Sequence, residues 1–309
     1  MPSSALGYSL ALLAGCLWAS LVVLGKLLMA TGIDPVILVG LRAAAAFFML
    51  AAVLGVVNRR LICLRLRDVP LFLACGTCVA LNYALYFYAL KWTTGTVAVV
   101  LMGTYPLFVA LLAGRALGER LDLGKCLALT LTLAGCFLVA QAYNREALLL
   151  NIKGVLSGVG SAVAFALYSI IGKKATAWYN SWTVALWGFG FGGLVLLASR
   201  VGDLGDIAGL ARVWWGVVLL ALFPTLLAYA AFTRALAHIE ATRASITTAV
   251  EPVTGAAAAR FLLGERLEAL QWLGAAAVVG GILLLQVTDL GRRAPRPRPP
   301  AGLDGTSGR

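Results

Sequence analysis

The sequence is poor in charged residues and has a single histidine. Only 12% of its 309 residues are charged, with 25 lysines and arginines against 13 acidic residues, and His238 is the one histidine. A soluble domain carries about 25% charged residues. No stretch of this chain is polar enough and long enough to form a separate soluble domain, so the composition excludes an ordinary soluble protein.

The sequence also lacks the motifs of metal, phosphate and catalytic sites. Cys75 and Cys78 have i,i+3 spacing, but no second pair of ligands accompanies them, as a zinc site would need. The glycine-rich stretch at 188–193 is followed by no Walker Lys-Ser/Thr and is preceded by no strand. No catalytic triad is recognisable. We therefore expect a protein that is not an enzyme and that holds no cofactor or metal.

Long apolar runs dominate what is present. Apolar residues make up 61% of the chain, and they come in runs of about 20, the length needed to cross a ~30 Å hydrocarbon core. Because lipid offers the backbone no hydrogen-bond partners, each span should be an α-helix. The ten predicted spans lie near Tyr8–Ala30, Val36–Val57, Pro70–Leu90, Gly95–Gly114, Asp122–Gln141, Gly154–Lys173, Ser181–Ser199, Val213–Leu236, Arg243–Leu262 and Ala269–Val287. The predicted fold class is an all-α integral membrane protein, with the lipid bilayer as its surroundings.

The net charge of +12 is better explained by orientation in the membrane than by nucleic acid. Basic residues lie mostly at the ends of the apolar runs, and cytoplasmic loops of membrane proteins are enriched in lysine and arginine. A cytoplasmic N-terminus places Arg59, Arg60, Arg65, Arg67 and the basic tail on the inner side. We therefore predict that both termini are cytoplasmic and that no nucleic acid is bound.

One stretch of the sequence occurs twice, 146 residues apart. The first copy contains Tyr105-Pro106-Leu107 and then Gly118-Glu119-Arg120-Leu121, and the second contains Glu251-Pro252-Val253 and then Gly264-Glu265-Arg266-Leu267. A match at so long a period indicates a tandem duplication. Each half then holds five spans, and because five is odd the second half must enter the membrane from the opposite side. Two inverted five-helix repeats are typical of secondary transporters.

At these motifs the chain resembles the EamA-like family of the drug/metabolite transporter (DMT) superfamily. Its marks are Pro106 and Pro252, the Gly-Glu-Arg-Leu that follows each, and Leu41-Arg42 followed by alanine. The resemblance covers two EamA-like units, at 6–142 and 152–288, and leaves 289–309 as a disordered basic tail. It implies a ten-helix fold with cytoplasmic termini in the plasma membrane of a bacterium or archaeon. It also implies export of small metabolites such as amino acids, although the fold does not choose the substrate.

Two charged residues inside the spans are the first candidates for substrate binding. Glu251 lies about 12 Å into span nine at 1.5 Å per residue, where a carboxylate is costly unless it is protonated, paired or facing water. It could bind a proton or a substrate ammonium, or it could cap a neighbouring helix beside a kink at Pro252. Arg42 in span two could hold a substrate carboxylate, or form a structural ion pair, or reach the outer headgroups.

Aromatic and amide side chains within the spans form the second group of candidates. Asn82 and Tyr86 share a helix face at i,i+4 spacing, and such groups usually point into a bundle or cavity. Deep tryptophans and tyrosines could line a pocket for an apolar or aromatic side chain, or serve plain helix packing. The full predicted substrate-binding set adds Trp18, Tyr83, Tyr105, Tyr168, Trp187 and Tyr229 to Asn82, Tyr86, Glu251 and Arg42.

The leading hypothesis is a secondary active transporter that exports small metabolites, most of all amino acids or related compounds, by alternating access. Its partners are a small-molecule substrate and, if Glu251 titrates, protons as the coupling ion. The runner-up is efflux of organic cations or drugs, because a lone membrane carboxylate among aromatics suits a lipophilic cation. A nucleotide-sugar-type exchanger and a non-transporting membrane scaffold stay open, as does the oligomeric state.

Overall fold

Ten helical segments make up the structure, a computed structural model that describes residues 3–29, 31–92, 101–139, 152–200, 210–255 and 268–293, together with Ala98, Tyr143 and Ala257. All regular secondary structure in this part of the chain is helical. The start of predicted span four, the ends of predicted spans five and nine, the second Gly-Glu-Arg-Leu and the tail beyond Arg293 lie outside the described residues.

Each predicted span coincides with one helical segment. The segments are α1 (Ser3–Met29), α2 (Pro35–Val57), α3 (Val69–Trp92), α4 (Tyr105–Leu117), α5 (Leu123–Val139), α6 (Ile152–Ala175), α7 (Ser181–Ala198), α8 (Leu210–Leu220, Ala221–Leu227 and Ala228–His238), α9 (Ala241–Thr248, then residues 251–255) and α10 (Ala269–Arg293). Six of them, α1, α2, α3, α6, α7 and α8, are long and apolar enough to cross a membrane, whereas α4, α5 and residues 269–285 of α10 form shorter apolar helices.

Local sequence signals set the helix ends. Asp34 precedes Pro35 at the start of α2, and its carboxylate accepts hydrogen bonds from the backbone N–H groups of Val36 and Ile37 at 2.8 and 3.1 Å. An acidic cap followed by proline at the first turn is a common helix start. Gly118, the first residue of the Gly-Glu-Arg-Leu motif, ends α4 with a left-handed φ of 67°, which glycine adopts without the steric penalty of a Cβ.

Three helices depart from regular α geometry. In α8, the segment Ala221–Leu227 widens into a π-helix around Pro224, since proline cannot donate the regular helix hydrogen bond. In α9, the helix is interrupted by a turn at residues 249–250 and resumes at 251. Residues 101–102 are helical as well, and a turn at 103–104 separates them from α4. The two turns are 146 residues apart, so they occupy equivalent positions in the duplicated sequence.

The helices pack in pairs that cross the boundary between the two halves of the chain. Helix α5 packs along α10, α2 along α7, and α4 against α9. Helix α3 packs on α6 and α7, while α1 and α2 pack on α8; α4 contacts α6, and α1 contacts α9. If each helix of one half is replaced by its counterpart in the other half, five numbers away, every packing pair becomes another pair of the same set: α3–α6 becomes α8–α1, for example. The core between the two halves therefore lies among α1, α3, α4, α6, α8 and α9.

Candidate functional site

A cavity in this core has room for about 50 Å³ of water-sized molecules, enough for a few waters at roughly 10–15 Å³ each. Its walls come from α1, α2, α3, α4, α6, α8 and α9. Eight of the ten predicted site residues line it, namely Trp18, Arg42, Asn82, Tyr83, Tyr86, Tyr105, Tyr229 and Glu251. The structure thus brings residues from seven helices and both halves of the chain to one place.

Arg42 supplies the positive charge of the cavity. Its side chain is 1% exposed, and its guanidinium carbon lies 4.0 Å from the centre of the Tyr83 ring. A cation over an aromatic face is attracted by the negative charge of that face, so Tyr83 fixes the guanidinium in place. The Nε and Nη1 donors of Arg42 have no hydrogen-bond partner among the described residues. They are therefore available to an anionic group that enters the cavity.

Glu251 supplies the negative charge. It is the first helical residue after the turn at 249–250, and it is partly buried. Within the described part of the chain, its carboxylate takes part in no ion pair and no hydrogen bond; only its backbone carbonyl accepts a bond, from the Thr254 hydroxyl at 3.0 Å. Arg42 and Glu251 line the same cavity without pairing with each other.

Aromatic rings form most of the remaining wall. Trp18 packs edge-on against Phe165 and Tyr229, with ring centres 5.3 and 5.2 Å apart, a geometry that stabilises aromatic pairs beyond their buried area. The indole Nε1 of Trp18 has no hydrogen-bond partner among the described residues. Trp18 therefore adds an unused donor to the two of Arg42.

Two of the predicted polar residues are already engaged in helix–helix bonds. The amide nitrogen of Asn82 donates to the Ser161 hydroxyl and carbonyl at 3.0 and 3.1 Å, and the Ser161 hydroxyl donates to the Asn82 carbonyl at 3.0 Å, which ties α3 to α6. The Tyr105 hydroxyl donates to the Ser245 carbonyl at 3.1 Å and lies 2.5 Å from the Thr248 hydroxyl oxygen, which ties α4 to α9. Their polar groups hold the walls together rather than facing an empty volume.

The other two predicted residues, Tyr168 and Trp187, do not line the cavity. Tyr168 lies behind Tyr229, with ring centres 5.4 Å apart, and its hydroxyl bonds the Thr233 hydroxyl at 2.8 Å. Trp187 donates from Nε1 to the Ile62 carbonyl at 3.0 Å, beyond the end of α2. Tyr168 supports the wall from outside, and Trp187 lies at the far end of the α2–α7 pair.

Four residues line the cavity that the sequence did not single out, namely Leu21, Phe87, Met102 and Phe165. Phe165 is the centre of the aromatic cluster, with Trp18, Tyr105, Tyr168, Tyr229 and Phe232 all within 6.2 Å of its ring centre. Nothing in the sequence distinguishes Phe165 from the other apolar residues of α6, so its place in the cavity emerges only from the packing of the helices.

A second, smaller cavity adjoins the first. It has room for about 30 Å³ of water-sized molecules and shares Tyr86, Met102, Tyr105 and Glu251 with the first cavity. Its remaining lining consists of Gly103, Cys136, Ala249 and Pro252. Gly103 and Ala249 belong to the two helix turns at equivalent positions of the repeat, so both helix breaks open onto this space.

Polar contacts close one end of the bundle at the α8–α9 junction. Glu119, from the first Gly-Glu-Arg-Leu motif, caps α9 by accepting hydrogen bonds from the N–H groups of Ala241 and Thr242 at 2.8 and 3.2 Å. A carboxylate at a helix N-terminus is favoured by the helix dipole. The Lys173 side chain on α6 donates to the carbonyls of Leu236 and Ile239 in the same junction.

Glu240 in this junction is held by two cations. Its carboxylate lies 2.8 Å from Lys125 Nζ and 2.7 Å from Arg243 Nε. Partial burial alone would raise the pKa of Glu240, but the hydrogen bonds and charges of Lys125 and Arg243 outweigh it and lower the pKa from its ordinary value. The junction therefore joins the first half of the chain, through Glu119 and Lys125, to the start of α9.

Comparisons of sequence and of structure both find known proteins that are similar to this chain. Residues 5–141 and 152–287 each match the sequence model of the EamA-like transporter family. An uncharacterized transporter of Archaeoglobus fulgidus is 26% identical over 66% of this chain and 72% of its own length. A protein of Streptantibioticus cattleyicolor named a probable terminal-alkyne amino-acid exporter is 26% identical over 74% of this chain and 77% of its own. A solved structure with 18% identity superposes with a TM-score of 0.77, covering 95% of this chain and 99% of that one.

Proposed function

We propose that this chain, which belongs to the EamA-like transporter family, is a secondary active transporter that exports a small zwitterionic metabolite, most of all an amino acid. The family and the names of its relatives indicate a multi-pass membrane transporter. The substrate and the mechanism are our proposal, and the cavity is what supports them.

The observation that carries the proposal is the pair of unmatched charges in one cavity. Leaving a buried donor without a partner costs about 1–3 kcal/mol, and more when the group is charged. Arg42 has two such donors, and Glu251 faces the same space without a partner. An amino acid would offer its carboxylate to Arg42 and its ammonium to Glu251, and the aromatic wall would contact the rest of the molecule.

The transport mechanism we propose is alternating access between two inverted five-helix repeats, 6–142 and 152–288. The duplicated sequence, the exchange of helix pairs between the halves and the equivalent helix breaks support this arrangement. In transporters built this way, the substrate binds at the interface of the repeats, beside interrupted helices. Rocking one half against the other would expose the cavity to each side of the membrane in turn.

The setting follows from the same reasoning. Both termini on the cytoplasmic side of the plasma membrane agree with the distribution of lysine and arginine. Export of amino acids agrees with the name of the Streptantibioticus cattleyicolor relative, a probable terminal-alkyne amino-acid exporter. Proton coupling through Glu251 is the remaining element of the proposal, because a carboxylate inside the membrane can exchange a proton as its access to water changes.

Counterflow in proteoliposomes tests the substrate class without assuming a coupling ion. Vesicles are preloaded with unlabelled amino acids, nucleosides, sugars or organic cations, and the entry of each labelled counterpart is followed. We expect accumulation of amino acids and none of the amines that keep the same side chain but lack the carboxylate. Equal accumulation of the amines would overturn the role of Arg42, and accumulation of another class alone would overturn the amino-acid substrate.

Two variants assign the charges. Arg42→Gln should abolish amino-acid counterflow, whereas Arg60→Gln, which changes an exposed arginine after the same helix, should leave it intact. Glu251→Gln should abolish counterflow or remove its pH dependence. If transport and its pH dependence are unchanged in Glu251→Gln, both the ammonium-binding and the proton-coupling assignments are wrong.

Organic-cation efflux is the second candidate, and one observation favours it. Glu251 lies beside Tyr86 and Tyr105 in the cavity lining, and a carboxylate among aromatic faces suits a lipophilic cation. The Arg42 guanidinium in the same cavity would repel that cation. The organic-cation arm of the counterflow panel separates the two candidates.

A further inference from the structure

The second cavity differs chemically from the first. Its lining beyond the shared residues is a glycine, a thiol, a methyl group and a proline ring, from Gly103, Cys136, Ala249 and Pro252. Two of the polar groups in its lining are already used: the Cys136 thiol donates to the Ala249 carbonyl at 4.0 Å, and the Tyr105 hydroxyl bonds Ser245 and Thr248. The hydroxyl of Tyr86, which also lines the first cavity, makes no hydrogen bond within the described part of the chain. Beyond the residues that it shares with the first cavity, the second cavity therefore offers a mostly apolar surface, and Glu251 is the one charged residue in its lining.

This chemistry decides which part of a zwitterion could enter. A substrate carboxylate would meet the charge of Glu251 with no cation in the lining to neutralise it, so charge repulsion disfavours it. A substrate ammonium is attracted to Glu251, which lines both cavities. An uncharged group therefore suits the second cavity best, while Arg42 holds the carboxylate in the first.

We infer that the second cavity is the subsite that accepts the apolar side chain of the substrate and sets its maximum length. The inference rests on the proposed function, because it takes the carboxylate at Arg42 and the ammonium at Glu251 as given. A space of about 30 Å³ corresponds to roughly two or three water-sized groups at 10–15 Å³ each. The preferred substrates are therefore amino acids with unbranched apolar side chains of roughly two or three carbons.

The position of Cys136 makes it the residue that limits this length. It projects from α5, whereas the other walls of the subsite come from the α4 and α9 breaks, from α3 and from residue 102. Shortening the Cys136 side chain enlarges the subsite, and lengthening it fills the space. Both changes leave Arg42 and Glu251 themselves in place.

The test is counterflow with a homologous series of labelled amino acids, namely alanine, 2-aminobutyrate, norvaline and norleucine. When two substrates differ by one methylene that an apolar pocket accepts or rejects, their transport rates differ by about tenfold or more. We expect Cys136→Ala to raise the rate of norleucine relative to 2-aminobutyrate by about tenfold, and Cys136→Leu to shift the preference to alanine by a similar factor.

Matched variants keep the inference falsifiable. Cys75→Ala makes the same change at a buried cysteine of α3 that lines neither cavity, and it should leave the profile unchanged. Gly103→Ala adds a methyl group to another residue of the lining, at a glycine without positive φ, and it should disfavour the longer substrates even if a Cys136 variant fails to fold.

The outcomes separate the two levels of the argument. If no amino acid of the series accumulates with the unchanged protein, the proposed function fails. If amino acids accumulate but folded Cys136→Ala, Cys136→Leu and Gly103→Ala proteins all keep the original profile, the substrate assignment stands and the side-chain subsite is wrong. A profile that moves equally in Cys75→Ala also overturns it, because the effect would then not come from the cavity.

Discussion

Glycines let the two halves of the chain approach each other closely where α5 packs on α10, and replacing one of them should weaken the fold measurably. Gly135 on α5 lies against α10: a Cβ placed there would be 2.6 Å from the Gly274 carbonyl oxygen and 2.8 Å from the Val278 nitrogen. The contact is reciprocal, because a Cβ at Gly274 would be 2.7 Å from the Gly135 carbonyl oxygen. Both obstacles are backbone atoms, so no side-chain rotation can relieve the overlap.

The size of the effect follows from that geometry. Favourable contacts between carbon and carbonyl oxygen lie at about 3.3–3.6 Å, so Gly135→Ala must push α5 and α10 apart by roughly 0.7 Å. Overpacking of this kind costs about 1–3 kcal/mol. At roughly 2–4 °C per kcal/mol for a chain of this size class, the Tm should fall on the order of 2 to 12 °C.

The assay is thermal unfolding of the purified protein in one detergent, with Gly188→Ala as the control. The nearest atoms to a Cβ at Gly188 are Cys75 Sγ and Tyr168 Cε2, both at 3.9 Å, which is ordinary contact. Alanine is favoured over glycine inside a helix by roughly 0.5–1 kcal/mol, so this variant should match or slightly exceed the unchanged protein. An undiminished Tm for Gly135→Ala, or an equal loss in both variants, would refute the close-approach reasoning.

Three further predictions concern polar contacts. Asn82→Ala and Ser161→Ala should each lower the Tm. The double variant should lose less stability than the sum of the two single losses, with a coupling of about 0.6–1.7 kcal/mol as for other hydrogen bonds between membrane helices. Strictly additive losses would mean that the two side chains do not interact. Glu119→Ala should destabilise the fold by about 1–2 kcal/mol through loss of the α9 cap. Glu119→Asp should recover only part of that stability, because the shorter side chain reaches the N–H groups less well. Equal stability of the two variants and the unchanged protein would contradict the cap. The lowered pKa of Glu240 means that its ionised form is favoured in the folded protein, so its contribution is present above the unfolded-state pKa and is lost as the pH falls through the folded-state value. Glu240→Gln should therefore be less stable than the unchanged protein at neutral pH and should converge with it in acid, and a gap that widens in acid would show the sign to be wrong.

The long elements of the fold were predictable because membrane helices depend on local composition. A run of about 20 apolar residues has no stable alternative to a helix in lipid, and each of the ten predicted spans coincides with a helical segment. A kink at Pro252 was expected, since proline removes a backbone donor, and the structure interrupts α9 just before it, at residues 249–250. The π-helical stretch Ala221–Leu227 was not foreseen, although Pro224 carries the same signal.

Which side of a helix faces which neighbour was much harder to predict. Helices in lipid are apolar on the lipid-facing and the core-facing sides alike, so apolar periodicity does not locate the core. Polar residues were informative, and Arg42, Glu251 and Asn82 all reach the cavity. Phe165 was missed because it looks like any other apolar residue, and Trp187 was placed by its depth alone. The partner of Glu119 was also beyond the sequence, because a motif repeated in both halves does not reveal that it caps a helix of the other half.

The cavity lies where helix continuity fails, and the two copies of the repeat contribute to it differently. Glu251 follows the α9 break, and Tyr105 occupies the equivalent position after the break that precedes α4. A carboxylate at both positions would place two like charges at one site, which disfavours ionisation of either. Tyr105 uses its hydroxyl to hold Ser245 and Thr248, the last turn of α9 before the break that leads to Glu251. One copy thus carries the charge and the other fixes the segment that presents it, an asymmetry that the proposed binding of a zwitterionic substrate in a single orientation requires.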